Sequence, residues 1–103
     1  MTALFSVRMT IDPEREESFN RWYDKKHLPE VLQFPGALSA RRFKGILGEP
    51  PGTYLALYEF VDARTLGEFL DSDYRRQVLI ADFQLRWPAI AEPIRSAYES
   101  LDP

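Results

Sequence analysis

Residues 53–61 read Thr-Tyr-Leu-Ala-Leu-Tyr-Glu-Phe-Val, and this stretch decides the fold. Side chains of a β-strand point alternately to its two faces, so apolar residues at nearly every position indicate that both faces are covered. Only Glu59 interrupts the apolar pattern. We therefore predict that residues 53–61 form a central strand of a sheet, with a covering layer on each side.

Three further segments have the patterns of strands. Residues 3–11 and 94–101 alternate with a period of two, and residues 37–47 form a third candidate strand. A loop rich in glycine and proline, residues 48–52, joins the segment 37–47 to the central strand. These two strands are therefore predicted to pair as a hairpin.

The first helix is predicted to lie between the first two strands. Asp12 and Pro13 indicate its start, because aspartate caps free amides and proline at the first helical position loses no hydrogen bond. Pro29 indicates a stop or a kink, because proline disfavours helical geometry in the residue before it. We expect at most one further turn, over residues 30–33.

The second helical region is predicted to have two parts, residues 63–71 and 74–87, with a cap at Ser72 or Asp73 between them. The order of elements is then β, α, β, β, α, β. This order predicts an α+β, ferredoxin-like fold with a four-stranded antiparallel sheet and two helices on one face. We expect residues 1–103 to form a single domain, because two separate cores would each be marginal in size.

The composition narrows the classes of partner. With 13 basic and 16 acidic side chains, the net charge of −3 gives no attraction to nucleic acid or to anionic lipid. The longest apolar or aromatic run has about five residues, far short of the roughly 20 that a spanning helix needs. The absence of cysteine excludes thiolate chemistry. We expect a cytoplasmic protein that binds neither nucleic acid nor a membrane.

The apolar central strand also predicts an oligomer. Helices on one face of the sheet leave the other apolar face exposed, and a large exposed apolar patch favours association. The same face of a second copy would cover it in a two-fold dimer and close the two sheets into a barrel. We therefore predict a homodimer; the alternative is a monomer in which the C-terminal tail or the 44–52 loop covers that face.

Residues 19–36 carry a more specific pattern. The run Phe-Asn-Arg-Trp-Tyr-Asp-Lys-Lys-His-Leu-Pro at 19–29 is followed by Phe-Pro-Gly at 34–36 and by the strand beginning at Ala37. This pattern resembles the EthD-like branch of the dimeric α/β-barrel superfamily, in which a first helix ends in an aromatic pair and then H-x-P. The resemblance covers the whole βαββαβ order and implies a dimeric α/β barrel. Members of the wider superfamily include cofactor-free oxygenases, lactone isomerases and polyketide cyclases, so the resemblance does not determine a reaction.

His27, the only histidine, is the first candidate for chemistry. An imidazole has an unperturbed pKa near neutrality, so it can accept and return a proton at physiological pH. We expect His27 to face the cleft between helix and sheet as a general base, and Asp24 could orient its ring. The alternative is structural: His27 would bond the last free carbonyls of its helix or a neighbouring backbone group, and so stabilise the negative end of the helix dipole.

Four tyrosines could donate hydrogen bonds to an oxygen on which negative charge develops: Tyr23, Tyr54, Tyr58 and Tyr98. We rank Tyr58 first, because the central strand favours a position beside a cavity, and we assign the same role to Tyr23. The alternative is that these rings belong to the core or to an interface, with their hydroxyl groups in solvent.

The candidate ligand contacts are Trp22, Phe5, Tyr54 and Arg42. Packing is the better explanation for Trp22. Arg41 and Arg42 point to opposite faces of their strand, so one of them lies near a buried surface and requires a carboxylate partner or a ligand anion. We expect Arg41 to form an ion pair with Glu59 across the hairpin.

The remaining patterns argue against metals and nucleotides. His27 has too few potential ligands at helical spacing for a metal site, and the glycines do not form a phosphate-binding loop. The leading hypothesis is a homodimer that binds a hydrophobic, aromatic or polyketide-like carbonyl compound without a cofactor. His27 would remove a proton, and Tyr58 or Tyr23 would stabilise the oxyanion during isomerisation, cyclisation or oxygenation. The alternative is a non-catalytic binding or stress-related barrel protein whose cleft is filled by its own side chains.

Overall fold

The computed structural model describes residues 1–101. Its four strands are β1 (Ala3–Thr10), β2 (Ala37–Lys44), β3 (Thr53–Phe60) and β4 (Ile94–Glu99). They form one antiparallel sheet in the order β2-β3-β1-β4. The predicted ferredoxin-like sheet is confirmed, and residues 53–61 were correctly predicted as a central strand because β3 pairs with a neighbour on each side.

All four strands are shorter than predicted, and two of them, β2 and β4, by more than one residue. β2 ends at Lys44 rather than at residue 47, because Gly45 already opens the hairpin loop and donates its amide to the Thr53 carbonyl (2.8 Å). The next residues, Ile46 and Leu47, are more than nine-tenths exposed. β4 ends at Glu99 rather than at residue 101.

The helical regions contain two π-helical segments that the sequence patterns did not predict. The first region consists of α1 (Pro13–Trp22), the first π-helical segment (Tyr23–His27) and α2 (Leu28–Val31). The second region consists of α3 (Ala63–Leu70), the second π-helical segment (Tyr74–Ile80) and α4 (Ala81–Arg86). Hydrogen bonds from residue i+5 to residue i make these turns wider than those of an α-helix.

The first π-helical segment ends two residues before Pro29. The Leu28 amide donates to the Tyr23 carbonyl, five residues back. In a regular α-helix the ring of Pro29 would collide with the carbonyl of Lys25, four residues back. The kink predicted at Pro29 therefore takes the form of a wider turn, after which the helix continues for one turn.

Side-chain caps hold only some of the helix starts. Asp12 precedes α1 but makes no capping bond, because its carboxylate binds the Arg15 guanidinium instead. The predicted capping by Asp12 is therefore wrong. Between α3 and the second π-helical segment, the Ser72 hydroxyl accepts a hydrogen bond from the Arg75 amide (3.1 Å), as predicted. Asp62 caps α3 by accepting a bond from the Thr65 amide (2.7 Å).

The helices cover one face of the sheet, which we call the covered face. From the strands it carries Phe5, Val7, Met9, Ala56, Tyr58 and Phe60, all buried. Phe19, Leu66, Phe69 and Leu79 pack on these residues from the helices and are also buried. Burial of this much aromatic and aliphatic surface is the main stabilising contribution to the fold.

The opposite face, which we call the open face, carries no helix. Large apolar side chains lie on it, and Phe43, Ile94 and Tyr98 are 39%, 57% and 58% exposed. The hairpin loop reaches this face at Arg8, where Glu49 binds the guanidinium (2.6 Å). The described part of the C-terminal tail ends at Leu101, which is 90% exposed; residues 102 and 103 lie outside the described residues.

The predicted ion pair between Arg41 and Glu59 is wrong. Both residues lie on the open face, but Glu59 is the cross-strand partner of Ser39, and the Ser39 hydroxyl donates to its carboxylate (3.4 Å). The Arg41 guanidinium lies over the Phe43 ring (5.1 Å to the ring centroid).

Among residues 1–101, no helix combines the length and hydrophobicity that a membrane span requires.

Candidate functional site

A cavity lies between the covered face and the helices. The sheet contributes Phe5, Val7, Met9, Tyr58 and Arg95 to its lining. The helical regions contribute Tyr23, His27, Val31, Phe69, Arg75, Leu79, Ile80 and Phe83. The empty volume is about 410 Å³ when the open mouth is included. The candidate general base and both first-ranked tyrosines therefore face a single cavity.

Both π-helical segments lie against this cavity. Tyr23 and His27 come from the first segment, and Arg75, Leu79 and Ile80 come from the second. Single π-helical turns in proteins occur frequently at functional sites. The two π-helical segments, one from each helical region, therefore line the same cavity.

The His27 ring is enclosed by aromatic side chains. It is only 8% exposed, it stacks on Trp22 (5.1 Å between ring centroids), and it packs against Tyr23 (4.8 Å). Phe83 closes another side at 6.2 Å. Its Nδ1 atom is buried and has no hydrogen-bond partner among the described residues. The ring is therefore held by packing.

Burial determines the ionisation of His27. The pKa of the imidazole is lowered to about 4, mainly by loss of solvent, and the cations Lys26, Arg95 and Arg42 act in the same direction. The Asp82 carboxylate acts in the opposite direction, but its effect is smaller than that of burial. At neutral pH the ring is uncharged, which is the form that accepts a proton.

Two sequence expectations about His27 are wrong. Asp24 does not orient the ring, because its carboxylate binds the Arg42 guanidinium (3.0 Å). The structural alternative, a bond from the ring to the last helix carbonyls, fails for Nδ1, which has no partner in residues 1–101. Both expectations assumed a regular α-helix, whereas the π-helical turn changes the direction in which each side chain points.

Tyr23 and Tyr58 form a pair of buried hydroxyl groups beside His27. Their oxygens lie 2.5 Å apart, and both residues are 1% exposed. Burial raises the pKa of Tyr23 to about 12 and raises that of Tyr58 well above its usual value, so both hydroxyls keep their protons. The bond between them uses one of their two hydrogens. The second hydrogen is free to be donated to a ligand oxygen.

The structure places the four candidate ligand contacts in different positions. Phe5 lines the cavity as expected. Trp22 lies behind the His27 ring, and its indole packs on Phe19, Phe83 and Trp87 rather than lining the cavity. Tyr54 and Arg42 are also absent from the lining: the Tyr54 hydroxyl donates to the Glu16 carboxylate, and Arg42 binds other side chains.

Arg42 is the one of the two neighbouring arginines that lies near the buried surface, and it has the carboxylate partner expected there. Its guanidinium binds Asp24 (3.0 Å) and the Asn20 side chain (2.8 Å), and it lies over the Tyr23 ring at 4.5 Å from the centroid. These contacts make Arg42 a support for Tyr23. Such cation–π contacts stabilise the ring without touching the cavity.

Sequence reasoning missed the two arginines of the cavity, Arg75 and Arg95. Arg95 could have been found, because it alternates with Ile94 along a strand and therefore points to the covered face opposite Val7. Arg75 has no comparable signal, because only the second π-helical segment turns it toward the cavity. Within residues 1–101, no group of three or more His, Cys, Asp or Glu side chains is arranged to hold a metal ion.

A family comparison gives the chain a place among known proteins. The model of the family described as "Domain of unknown function (DUF4286)" matches residues 2–86, so the chain belongs to this family. It is 39% identical over 72 residues to "Core atranone cluster (CAC) protein 1" of Stachybotrys chlorohalonatus. That match covers 67% of this chain and 31% of the relative, so the chain spans only about a third of the relative's length.

Solved structures share the fold at low sequence identity. An EthD family protein from Bacillus halodurans has a TM-score of 0.69 at 19% identity, covering 98% of this chain and 99% of its own. SnoaB, a cofactor-independent oxygenase from Streptomyces nogalater, has a TM-score of 0.67 at 14% identity, covering 99% and 95%. A conserved protein from Methanosarcina mazei has a TM-score of 0.72 at 19% identity, covering 98% and 94%. These likenesses confirm the predicted fold and the resemblance to EthD-like proteins.

Proposed function

We propose that this member of the DUF4286 family is a homodimer that binds a small hydrophobic carbonyl compound between helices and sheet. In this proposal the protein moves a proton on that compound with its own side chains. One observation carries the proposal: a neutral, enclosed imidazole and a protonated hydroxyl pair face the same cavity. A base beside a hydrogen-bond donor is the arrangement that enolisation requires.

The proposed step is proton abstraction next to a carbonyl group. The C–H bond breaks, its proton moves to Nε2 of His27, and the electron pair moves to the carbonyl oxygen. The Tyr23–Tyr58 pair donates its free hydrogen to the oxygen as the negative charge develops. Nδ1 is enclosed without a partner, so Nε2 is the nitrogen that we assign to the cavity. Return of the proton to another atom completes an isomerisation.

The proposal requires that the cavity widen when a ligand enters. Its enclosed interior is about 30 Å³, which is room for about two water molecules. Ile80, Phe83, Pro93 and Arg95 separate it from a second cavity with an empty volume of about 620 Å³. Displacement of Phe83 and Ile80 would join the two spaces. We expect α4 to provide this movement, since a ligand with an aromatic ring does not fit the present interior.

The names of the relatives support this class of reaction. The structure of SnoaB is that of a cofactor-independent oxygenase, so this fold is compatible with chemistry that uses no cofactor. Other structures with this fold, at TM-scores of 0.66 to 0.70, are described as antibiotic biosynthesis monooxygenases, two of them as putative. Oxygenation, like isomerisation, can begin with removal of a proton next to a carbonyl group. We therefore propose only this first step, removal of a proton next to a carbonyl group, which the two reactions share.

The homodimer is proposed from the open face. Leu4, Phe43 and Leu57 line an apolar groove there, and Arg41 and Glu59 lie at its sides without an ion pair to each other. In a two-fold dimer, if Arg41 of one copy contacts Glu59 of the other, then Glu59 of the first copy also contacts Arg41 of the second. The same face of a second copy would therefore cover the apolar groove and offer each charge an opposite partner.

Light scattering coupled to size-exclusion chromatography tests the dimer. We expect the wild-type chain to elute with twice the mass of one chain, and Leu57→Glu to elute as a monomer because the carboxylate would be buried in the groove. The matched control is Leu85→Glu, at an 81% exposed position of α4, which should leave the dimer unchanged. A wild-type monomer, or equal behaviour of the two variants, would contradict the proposal.

Deuterium exchange tests the proton transfer without an assigned substrate. The probe is 2-tetralone in D₂O, in which exchange of the hydrogens beside the carbonyl is followed by proton NMR. We expect His27→Gln to slow the catalysed exchange by about 10² to 10⁴-fold and Tyr58→Phe by about 10²-fold or more. The control is Tyr54→Phe, whose hydroxyl binds Glu16 outside the cavity and should have little effect.

The same experiment separates the enzyme from a non-catalytic binding protein. The pKa of about 4 makes His27 a weak base, and this observation favours the binding role. If 2-tetralone perturbs the His27 resonances but the protein does not accelerate exchange, the protein binds the compound without turning it over. Acceleration that survives in both His27→Gln and Tyr58→Phe would refute the assigned roles.

A further inference from the structure

We infer that the cavity takes a carboxylate, with Arg75 and Arg95 binding the carboxylate group of an otherwise hydrophobic compound. This inference rests on the proposed function and narrows its substrate class from carbonyl compounds in general to carbonyl compounds that carry an acid group. The compound's apolar body would contact Phe5, Leu79 and Phe83.

The cavity has an excess of positive charge. Its lining contains two guanidinium groups, Arg75 and Arg95, and it contains no Asp or Glu. The other ionisable side chains of the lining, His27, Tyr23 and Tyr58, are uncharged at neutral pH. Two cations in a mostly apolar cavity require an anion, because an uncompensated charge near a low-dielectric interior is costly.

Arg75 is the less satisfied of the two arginines. It is half-buried, its guanidinium lies over the Phe5 ring (5.8 Å to the centroid), and it donates one long bond to the Leu70 carbonyl (3.4 Å). Within residues 1–101 it forms no salt bridge, although eight other arginines do. Burial lowers the pKa of Arg75, and the neighbouring Arg95 lowers it further.

Arg95 has a partner that can be exchanged. It binds the Glu92 carboxylate (2.8 Å), but the Glu92 side chain is 78% exposed and lies only three residues away in the sequence. Exposed pairs of this kind contribute little stability. A ligand carboxylate in the less solvated mouth could therefore replace Glu92 at little cost. The planar guanidinium then offers two parallel N–H groups to the two carboxylate oxygens.

Isothermal titration calorimetry with two matched probes tests this inference. The probes are 2-naphthoate and 2-naphthamide, which share the ring system and differ in charge. We expect the wild-type protein to bind naphthoate at least about tenfold more tightly than naphthamide, since hydrogen bonds to charged groups are the stronger class. Arg75→Gln and Arg95→Gln should each weaken naphthoate binding by about tenfold and leave naphthamide binding unchanged.

The control is Arg64→Gln, whose side chain is 87% exposed on α3 and should alter neither affinity. Naphthamide binding also reports whether each variant keeps a folded cavity. Equal affinity of wild type for both probes, or unchanged naphthoate affinity in both variants, would overturn the carboxylate site and leave the proposed function intact. Failure of the wild type to bind either probe would overturn the site and count against the proposed cavity as well.

Discussion

The two faces of the sheet differ in the kind of group that each leaves without a partner. On the covered face, apolar side chains are enclosed, whereas Nδ1 of His27 and the indole nitrogens of Trp22 and Trp87 have no hydrogen-bond partner in the described chain. On the open face the opposite holds. Apolar rings such as Phe43 and Tyr98 meet solvent, and the charges of Arg41 and Glu59 are not joined to each other.

This difference indicates two kinds of interaction. Buried polar atoms without partners are costly, so they persist where a ligand or a reaction uses them. Exposed apolar groups are costly in water and mark a surface that meets another chain. The covered face is thus suited to a small molecule and the open face to a second copy.

The largest expected effect is on folding. Phe19 is fully buried, and its ring contacts Trp22, Tyr23, Phe83 and Trp87 at 5.2 to 6.0 Å between centroids. Phe19→Ala should lower the free energy of unfolding by about 3–5 kcal/mol in urea titrations, because it leaves a cavity under the helices. Phe43→Ala, on the open face, should lower the free energy of unfolding much less and should mainly weaken the proposed dimer. Equal losses of unfolding free energy in Phe19→Ala and Phe43→Ala would contradict the distinction between the two faces.

The second-largest expected effect is a pH dependence of the free energy of unfolding, caused by His27 on the covered face. In the unfolded chain His27 takes a proton near pH 6.5, whereas in the folded chain it does so near pH 4. Between these values the unfolded state binds more protons, so stability is full above pH 6.5 and falls as the pH is lowered to 4. The loss attributable to His27 is roughly 3 kcal/mol.

The measurement compares wild type with His27→Gln in urea at pH 7 and pH 4. Carboxylates such as Asp82 titrate in both proteins, so the difference isolates the imidazole. The wild type should lose about 3 kcal/mol more than the variant over this range. An identical pH dependence in the two proteins would show that the ring is not enclosed.

A smaller effect should come from the hydroxyl pair. Tyr23→Phe and Tyr58→Phe each leave one buried hydroxyl without its partner, whereas the double variant removes both. We expect a coupling free energy of about 1 kcal/mol from the double-mutant cycle in urea. Strict additivity of the two single losses would contradict the 2.5 Å contact.

The smallest effect should come from the partly exposed ion pairs of Lys26, one within the first helical region and one to the second. Lys26 binds Asp82 (3.0 Å) and Glu30 (3.3 Å). Lys26→Met should lower the free energy of unfolding by about 1 kcal/mol or less, since such pairs are screened by solvent. It should also raise the pKa of His27, because the ammonium group lowers that pKa now. A lower pKa in the variant would show that this interaction has been assigned the wrong sign.

The sequence predicted most of the fold, because the period of its apolar residues is a local property. The alternation in residues 3–11 predicted the strand β1, and the apolar run at 53–61 predicted that β3 is a central strand, as the sheet order shows. The same reasoning placed Tyr58 beside a cavity, because inward-facing residues of a central strand lie under the helices.

The candidate site was predicted less completely. His27, Tyr23, Tyr58 and Phe5 line the cavity, whereas Trp22, Tyr54 and Arg42 do not. The π-helical segments explain part of this result, since no residue pattern distinguishes them from α-helix and they change the side-chain directions. Arg75 was missed for the same reason. In addition, Arg75 and Arg95 are 20 positions apart in the sequence, so their proximity depends on the complete fold.

The most direct test uses the fact that His27 is the only histidine in the chain. A protein labelled with ¹⁵N-histidine gives one set of imidazole resonances, which can be followed as the pH is lowered from 8 to 3.5. An enclosed ring facing the cavity should titrate near pH 4. Titration near pH 6.5, the value of an imidazole in water, would show a solvated ring and contradict the site built around it.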